Sequence, residues 1–343
     1  MPKILITRLS SFGDVAMLVP AVYSVAARYP QERFVVLTRK AFAPLFESLG
    51  FNVAVRAFDP NKHGDVWGLF RLTNSLSMSG YSHVADMHDV LRTKIIRRYL
   101  KLVGKKVAHI DKGRSEKNLM IESKKLYPPL KPMVERYMEV FEKIGYPAEM
   151  SYLNFFEFKD RSLYPIRNIV PEEKFGKWIG IAPLAKHHEK TYPITKMKKI
   201  IEHLAMNEDY MVFLFGLDEK ARASFRQLTD VYGNITDVSG KLNLESELLL
   251  MSYLDVMVSM DSANMHLASL VEVPVVSIWG ATHPSLGFYG YRQDPDNAVQ
   301  TDIECRPCSV FGNVPCKRGD YACLKRIDES TILEKVEKIL AKG

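Results

Sequence analysis

The chain reads as an α/β protein built from two Rossmann-like domains, on three observations. A strand, a glycine-bearing turn and an apolar helix open it: Lys3 to Leu9, then Ser10-Ser11-Phe12-Gly13-Asp14, then Val15 to about Arg28. A second strand begins at Trp178, and the stretch from Asp255 to Pro284 reads strand, turn, helix, strand. Between the two lies Phe155 to Lys174, which is polar, carries Pro165 and Pro171, and has weak periodicity. It marks a linker at about 155–175 and divides the chain into domains over 1–160 and 175–343. A chain of 343 residues is long enough for two substantial cores.

The first half repeats a strand–helix rhythm. Strands are expected near Arg33–Thr38, Val53–Phe58, His83–Met87 and Lys106–Ile110, and helices near Phe42–Leu49, Asp65–Met78, Val90–Val103 and Pro132–Ile144. No G-x-G-x-x-G follows the first strand, which argues against a dinucleotide cofactor. Asp86-Met87-His88-Asp89 falls at the carboxyl end of a strand, beside Arg92 and Thr93. Ligands of open α/β sheets gather at such ends, so His88 and Arg92 are candidate ligand contacts, against a plain loop-end role.

In the second half, Trp178–Ala182 leads through Lys186-His187-His188-Glu189-Lys190-Thr191-Tyr192-Pro193 into a helix near Ile194–Ala205. Adjacent histidines face different ways on most backbones, so His187-His188-Glu189 does not suggest a metal site. Met211–Phe215 is the next strand. Asp218 and Glu219 follow it, where a carboxylate can bind a ribose hydroxyl or simply favour the helix dipole. Ile235–Val238, a helix near Glu245–Met251 and an amphipathic helix over Ile327–Leu340 complete the half.

The Asp255–Pro284 unit is the most informative stretch. Leu254 to Met260 is an apolar run of strand length, and Asp261-Ser262 supplies residues that cap helices. Ala263-Asn264-Met265-His266 then opens a helix, and its first backbone N–H groups attract anions such as a diphosphate. His266, four residues after Ser262, shares its helix face. The competing reading leaves Asp261 as a cap and His266 as packing. Val275 to Trp279 is a buried parallel strand, closed by Gly280-Ala281-Thr282-His283-Pro284.

Formal charge is +7, and between Arg92 and Lys131 thirteen Lys and Arg face three Asp and Glu. This suits a phosphorylated lipid, an anionic membrane face or nucleic acid, and a merely solvated helix face is the equal alternative. No zinc-finger or RNP-type pattern supports nucleic acid. The opening residues form a strand without a signal-peptide core, and the apolar stretch Val15–Ala27 is too short to span a bilayer. The expectation is a cytoplasmic protein, peripheral to an anionic membrane face. The four cysteines, Cys305, Cys308, Cys316 and Cys323, lie close together. Free or partly paired thiols and a structural zinc clip are the alternatives, although the spacing matches no common zinc motif.

D-S-A-N-M-H-L-A-S-L followed by P-V-V-S-I-W-G-A-T-H-P resembles the signature of glycosyltransferase family 9, the heptosyltransferases of lipopolysaccharide core synthesis. R-L-S-S-F-G-D-V resembles the family's opening R-x-x-x-x-G-D, and Lys190-Thr191-Tyr192-Pro193 resembles its K-x-[WY]-P. The departure is Ala263, where the family usually has Gly. The resemblance implies the GT-B architecture, two Rossmann-like domains facing a central crevice, with a last helix that can pack on the first domain. It implies an inverting, metal-independent transfer of heptose from ADP-heptose to Kdo-lipid A or a heptosylated core.

On the same footing Asp14, which its position alone would make a helix cap, is the base, Arg8 and Ser11 orient the acceptor or the leaving diphosphate, and His88 and Arg92 contact the acceptor. Gly13 lets the turn close tightly. Lys190 holds the donor diphosphate, with Lys186 a second candidate. Asp261, Ser262, Ala263, Asn264, Met265 and His266 line the donor site with Glu219. No cofactor is implied, and the cysteine loop is a family feature. One alternative is the same fold moving a different nucleotide sugar in cell-envelope synthesis. Another is a non-catalytic protein binding nucleotide or an anionic polymer.

Overall fold

The protein is described by a computed structural model covering residues 2–157, 159 and 161–342. Phe158 and Asp160, within the expected linker, lie outside the described residues, as do Met1 and Gly343 at the ends of the expected domains. The chain forms two compact units. The first runs to Lys112 and resumes over Lys131–Leu153; the second takes Gly113–Leu130 and the chain from Asn154 onward.

The first unit opens with β1 (Lys3–Thr7), α1 (Phe12–Arg28), β2 (Arg33–Arg39), α2 (Pro44–Glu47), β3 (Val53–Phe58), α3 (Pro60–His63), α4 (Val66–Ser77), β4 (His83–Asp86), α5 (Leu91–Leu102) and β5 (Lys106–His109). After α6 (Arg114–Ser123), which belongs to the second unit, α7 (Met133–Ile144) returns to the first. The sheet order is β3-β2-β1-β4-β5, every pair parallel. Its order reverses between β1 and β4, and the loops leaving these two strands flank the place where such sheets bind ligands.

Sequence explains these elements and their departures from expectation. β1 is apolar from Ile4 to Ile6 because both faces of a parallel sheet are covered. α1 begins at Phe12, earlier than Val15, because the Asp14 side chain reaches back to the Ser11 N–H and extends the first turn. The helix expected over Phe42–Leu49 is split into a 3₁₀ turn, Lys40–Phe42, and the short α2, since Pro44 has no N–H to continue the first. α3 and α6 are short or polar and carry little periodic signal.

The second unit contains β6 (Lys177–Ala182), α8 (Ile194–Ala205), β7 (Tyr210–Leu214), α9 (Glu219–Val231), β8 (Ile235–Asp237), α10 (Leu244–Met251), β9 (Val256–Met260), α11 (Ala263–Leu270), β10 (Val275–Trp279), β11 (Ala298–Gln300), α12 (Ala322–Lys325) and α13 (Glu329–Leu340). The order β11-β10-β9-β6-β7-β8 is again all parallel and reverses between β6 and β9. Its two central strands are apolar through their buried span apart from Ser259 of β9, which is buried all the same. The closing α13 buries Ile332, Val336 and Leu340 in the core of this unit, beside α8 and β9.

The stretch expected as a linker is packed. Phe155, Phe156, Leu163, Ile166 and Val170 are buried, a 3₁₀ turn covers Tyr164–Ile166, and the Phe155 N–H donates to the Leu270 carbonyl at 2.9 Å. Its apolar residues lie at irregular spacing, so no helical or strand period betrays them.

Candidate functional site

Each unit places a charged cluster at the carboxyl end of its sheet, where the strand order reverses. In the first unit the loop after β1 carries Arg8, which is 2% exposed. Its guanidinium donates to the Met87 carbonyl at 2.6 Å and meets Asp14 Oδ2 at 2.6 Å. That oxygen also accepts from the Ser11 hydroxyl at 2.7 Å and the Ser11 N–H at 3.2 Å. Asp14 is thus a capping residue and a member of a charge cluster at once. Tyr137 of α7, fully buried, donates its hydroxyl to the Asp14 carbonyl at 3.2 Å and lies under Arg8, 5.9 Å from guanidinium to ring centre. Burial opposes the Arg8 charge, yet Tyr137 and Asp14 hold its pKa above the ordinary value.

His88 comes into this cluster from the loop after β4. It is 6% exposed, and its Nδ1 accepts from the Leu9 N–H at 3.3 Å while Nε2 lies 3.4 Å from the Ser10 hydroxyl. Burial first, then Arg8, pushes its pKa down to about 3, so the ring is neutral and spans the two loops. The buried Asp86 anchors the other side. One of its oxygens accepts from Thr7, the His88 N–H and the Asp89 N–H, and the other from Arg97 at 2.8 Å.

Two candidates sit differently from expectation. Gly13 lies inside the first turn of α1 and is not among the positive-φ glycines, so a left-handed turn is not what it supplies. The helix starts one residue before it, which removes the turn it was assigned. Arg92 is exposed in the first turn of α5, with its side chain outside the Arg8–Asp14 group.

In the second unit Lys190 follows β6 and Asp261 follows β9. Lys190 Nζ donates to Asp261 Oδ2 at 3.0 Å, and the Thr282 hydroxyl donates to the same oxygen at 2.6 Å. The Lys-Thr-Tyr-Pro segment is rigid for a local reason. Tyr192 is fully buried and donates its hydroxyl to the Ile327 carbonyl, and Pro193 caps α8. The Lys190 stem runs against Gly312, where an added Cβ would lie 2.4 Å from Cγ and where φ is +69°. Only glycine suits that position.

Ser262 caps α11, its hydroxyl 3.2 Å from that of Ser259, and Ala263 is the first helical residue. Met265 and His266 are buried below. The Asn264 amide lies over Gly216 at the end of β7, 3.0 Å from where a Cβ would stand there. Lys186 and Glu219 lie outside the Lys190–Asp261–Thr282 group, and Glu219 is exposed. Asp218, beside Glu219, caps α9 by accepting from the Ala221 N–H at 2.8 Å.

Sequence reasoning missed Arg306. It is buried, and its guanidinium donates to the carbonyls of Gly280, Thr282 and Thr301 and to the Gln300 side chain. It therefore fixes the loop that carries Thr282. Its signal is hidden among the cysteines, whose clustering points to metal instead. The zinc alternative is corrected by the structure: Cys305, Cys308, Cys316 and Cys323 are free thiols, and among the described residues no group of three or more His, Cys, Asp or Glu can hold a metal ion. Burial raises the Cys308 thiol and pushes Cys323 up to about 11, so both thiols are protonated at neutral pH in the metal-free protein.

Chemically, the first unit presents an oriented carboxylate, and the second a shielded lysine beside a helix N-terminus. Residues 69–315 match the profile of Glycosyltransferase family 9 (heptosyltransferase). The chain is 23% identical over 294 residues to the lipopolysaccharide core heptosyltransferase OpsX of Haemophilus influenzae, covering 82% of this chain and 80% of that one. Among solved structures it resembles E. coli ADP-heptose lps heptosyltransferase II, with a TM-score of 0.72, 18% identity and 99% of each chain covered. It also resembles E. coli heptosyltransferase WaaC with ADP-2-deoxy-2-fluoro heptose, at a TM-score of 0.69, 16% identity and coverage of 98% of this chain and 99% of that one. The fold is the GT-B architecture of two Rossmann-like domains.

Proposed function

The chain belongs to glycosyltransferase family 9, and from this we propose that it transfers heptose from ADP-heptose to an inner-core sugar of a lipopolysaccharide precursor, with inversion and without a metal ion. That it is a glycosyltransferase sets aside the non-catalytic alternative. The observation that carries the reading is the carboxylate of Asp14, held by Arg8 and Ser11 where the first sheet reverses its order.

An acceptor hydroxyl oxygen attacks the anomeric carbon from the face opposite the diphosphate. The new C–O bond forms as the bond from that carbon to the diphosphate oxygen breaks, and the electron pair leaves with ADP. Asp14 takes the hydroxyl proton, which it can do only from a fixed position. Arg8 and Ser11 keep it there. Lys190 meets the charge that builds on the departing diphosphate, the part a metal ion plays elsewhere. The N-terminal N–H groups of α11, from Ser262 to Met265, add to that attraction. Asp261 and Thr282 hold Lys190 in reach. His266, beneath the start of α11, belongs to the donor side, and His88, which ties the loops after β1 and β4, to the acceptor side.

One observation favours a second reading, transfer of a different nucleotide sugar: Ala263 puts a methyl at the start of α11. A donor panel decides between them. The protein is incubated in EDTA with a heptose-free core lipid acceptor and ADP-heptose, ADP-glucose, UDP-glucose or GDP-mannose. Release of nucleoside diphosphate from ADP-heptose alone is expected. Release from another donor alone would overturn the heptose assignment, and release only after metal is restored would overturn metal independence.

A further inference from the structure

α4 and α5 pack side by side in the first unit and turn an unusual face to solvent. On α5 the buried stripe is Thr93, Ile96 and Leu100, while Arg97 turns to Asp86. The outward stripe, at helical spacing, is Leu91, Ile95, Arg98 and Leu102, whose three apolar members are all exposed. On α4 the outward residues are Val66, Trp67, Phe70 and Arg71; Trp67 is 71% exposed and Phe70 55%. Neither helix contains an Asp or Glu. The nearest acids are engaged: Asp65 caps α4 through the Gly68 N–H, and Asp89 pairs with Arg97.

Five large apolar side chains and Trp67 standing in water are a cost unless something covers them. The covering partner must be apolar in the plane of the helices and negative around it, because Arg71, Arg98 and Lys101 rim the patch. We propose that the α4–α5 face docks this protein on an anionic phospholipid surface, with Trp67, Phe70 and the Leu91–Ile95–Leu102 stripe entering the headgroup region and the cations meeting lipid phosphates. Tryptophan prefers that interface, and amphipathic basic helices bind it through apolar burial plus charge. A nucleic acid could stack on Trp67 and Phe70, but it would leave the Leu91–Ile95–Leu102 stripe uncovered, which a lipid surface buries. The inference rests on the reading of a lipid-linked acceptor, which it deepens: the enzyme would work at the surface that holds its substrate.

Trp67 reports on this directly, since Trp178 and Trp279 are both fully buried. Tryptophan emission and flotation are measured with vesicles of phosphatidylcholine plus phosphatidylglycerol and of phosphatidylcholine alone, without donor or acceptor, so that failure of the transfer reading leaves the result untouched. Binding to the anionic vesicles with a blue shift is expected. Trp67→Ser with Phe70→Ser removes the shift and weakens flotation ~10-fold or more, and Arg98→Glu with Lys101→Glu weakens it similarly, each cation being worth about fivefold at such a surface. All four positions are on the surface, and transfer to a water-soluble core oligosaccharide stays at the wild-type rate. No binding, equal binding to neutral vesicles, or binding that both double variants retain would overturn the proposal. So would a dimer or an RNA complex that the aromatic variant abolishes while vesicle binding persists.

Discussion

His88 shows how one side chain couples the loops after β1 and β4 to pH. Its ring is neutral in the fold, with a pKa pushed to about 3 by burial and by Arg8. In the unfolded chain the same ring takes a proton below about 6.5. Stability from His88 is therefore complete above about pH 6.5 and drains away as pH falls toward 3, by at most about 1.4 kcal/mol per pH unit. His283, lowered to about 4 by burial and then Arg306, acts in the same direction. Urea unfolding at pH 7 and pH 5 should give a steeper loss for the wild type than for His88→Asn, whose amide oxygen can still accept from Leu9. Equal slopes would mean that the His88 ring is not held neutral in the fold. At the same scale, strand ends and helix starts left Asp14 and Asp261 open between capping and binding, and only the resemblance to glycosyltransferase family 9 singled out Asp14, Lys190 and Asp261 as site candidates. Arg306 and Asp86 were not legible, because what distinguishes them is burial among distant carbonyls and N–H groups, and no local pattern encodes it.

Among elements, the strands were the easiest to read. Parallel strands buried on both faces are short apolar runs, and β2 and β10 lie where those runs lie. The helix starts depended on side chains reaching back along the chain, as at Ser11 and Asp14, and Pro44 broke a helix that periodicity alone would continue. The buried residues Phe155, Phe156, Leu163, Ile166 and Val170 and the loop around Gly312 were illegible for a common reason: their order comes from contacts with remote segments. Gly312 makes that dependence testable. Gly312→Ala sets a methyl against the Lys190 stem in a left-handed backbone conformation. The lysine must move from Asp261, and affinity for ADP should fall ~10-fold or more, the loss expected of one charge-assisted contact, while circular dichroism stays that of the wild type. Unchanged ADP affinity by calorimetry would remove Lys190 from the diphosphate site.

Across the whole molecule, each of the two parallel sheets reverses its strand order once, and each reversal point carries a different charge arrangement. The first has a carboxylate clamped by an arginine; the second has a lysine clamped by an aspartate, itself held by a threonine. That division matches what a group transfer requires, a base for the acceptor and a cation for the leaving group. It also explains why composition alone said little about function: a net charge of +7 suits many partners, and only the placement of a few groups narrows them. No helix among the described residues is long and apolar enough to cross a membrane, so any membrane attachment through helices would be by a face such as α4–α5.

The most direct test separates donor binding from turnover in Asp14→Ala. ADP-heptose binding by calorimetry and ADP release in the presence of the core acceptor are measured on the same preparation. Binding within about twofold of the wild type is expected, with release lowered by a factor on the order of 100 to 10,000, the usual worth of a positioned base. Release near the wild-type rate would place the base elsewhere and contradict the role given to the Arg8–Asp14–Ser11 cluster.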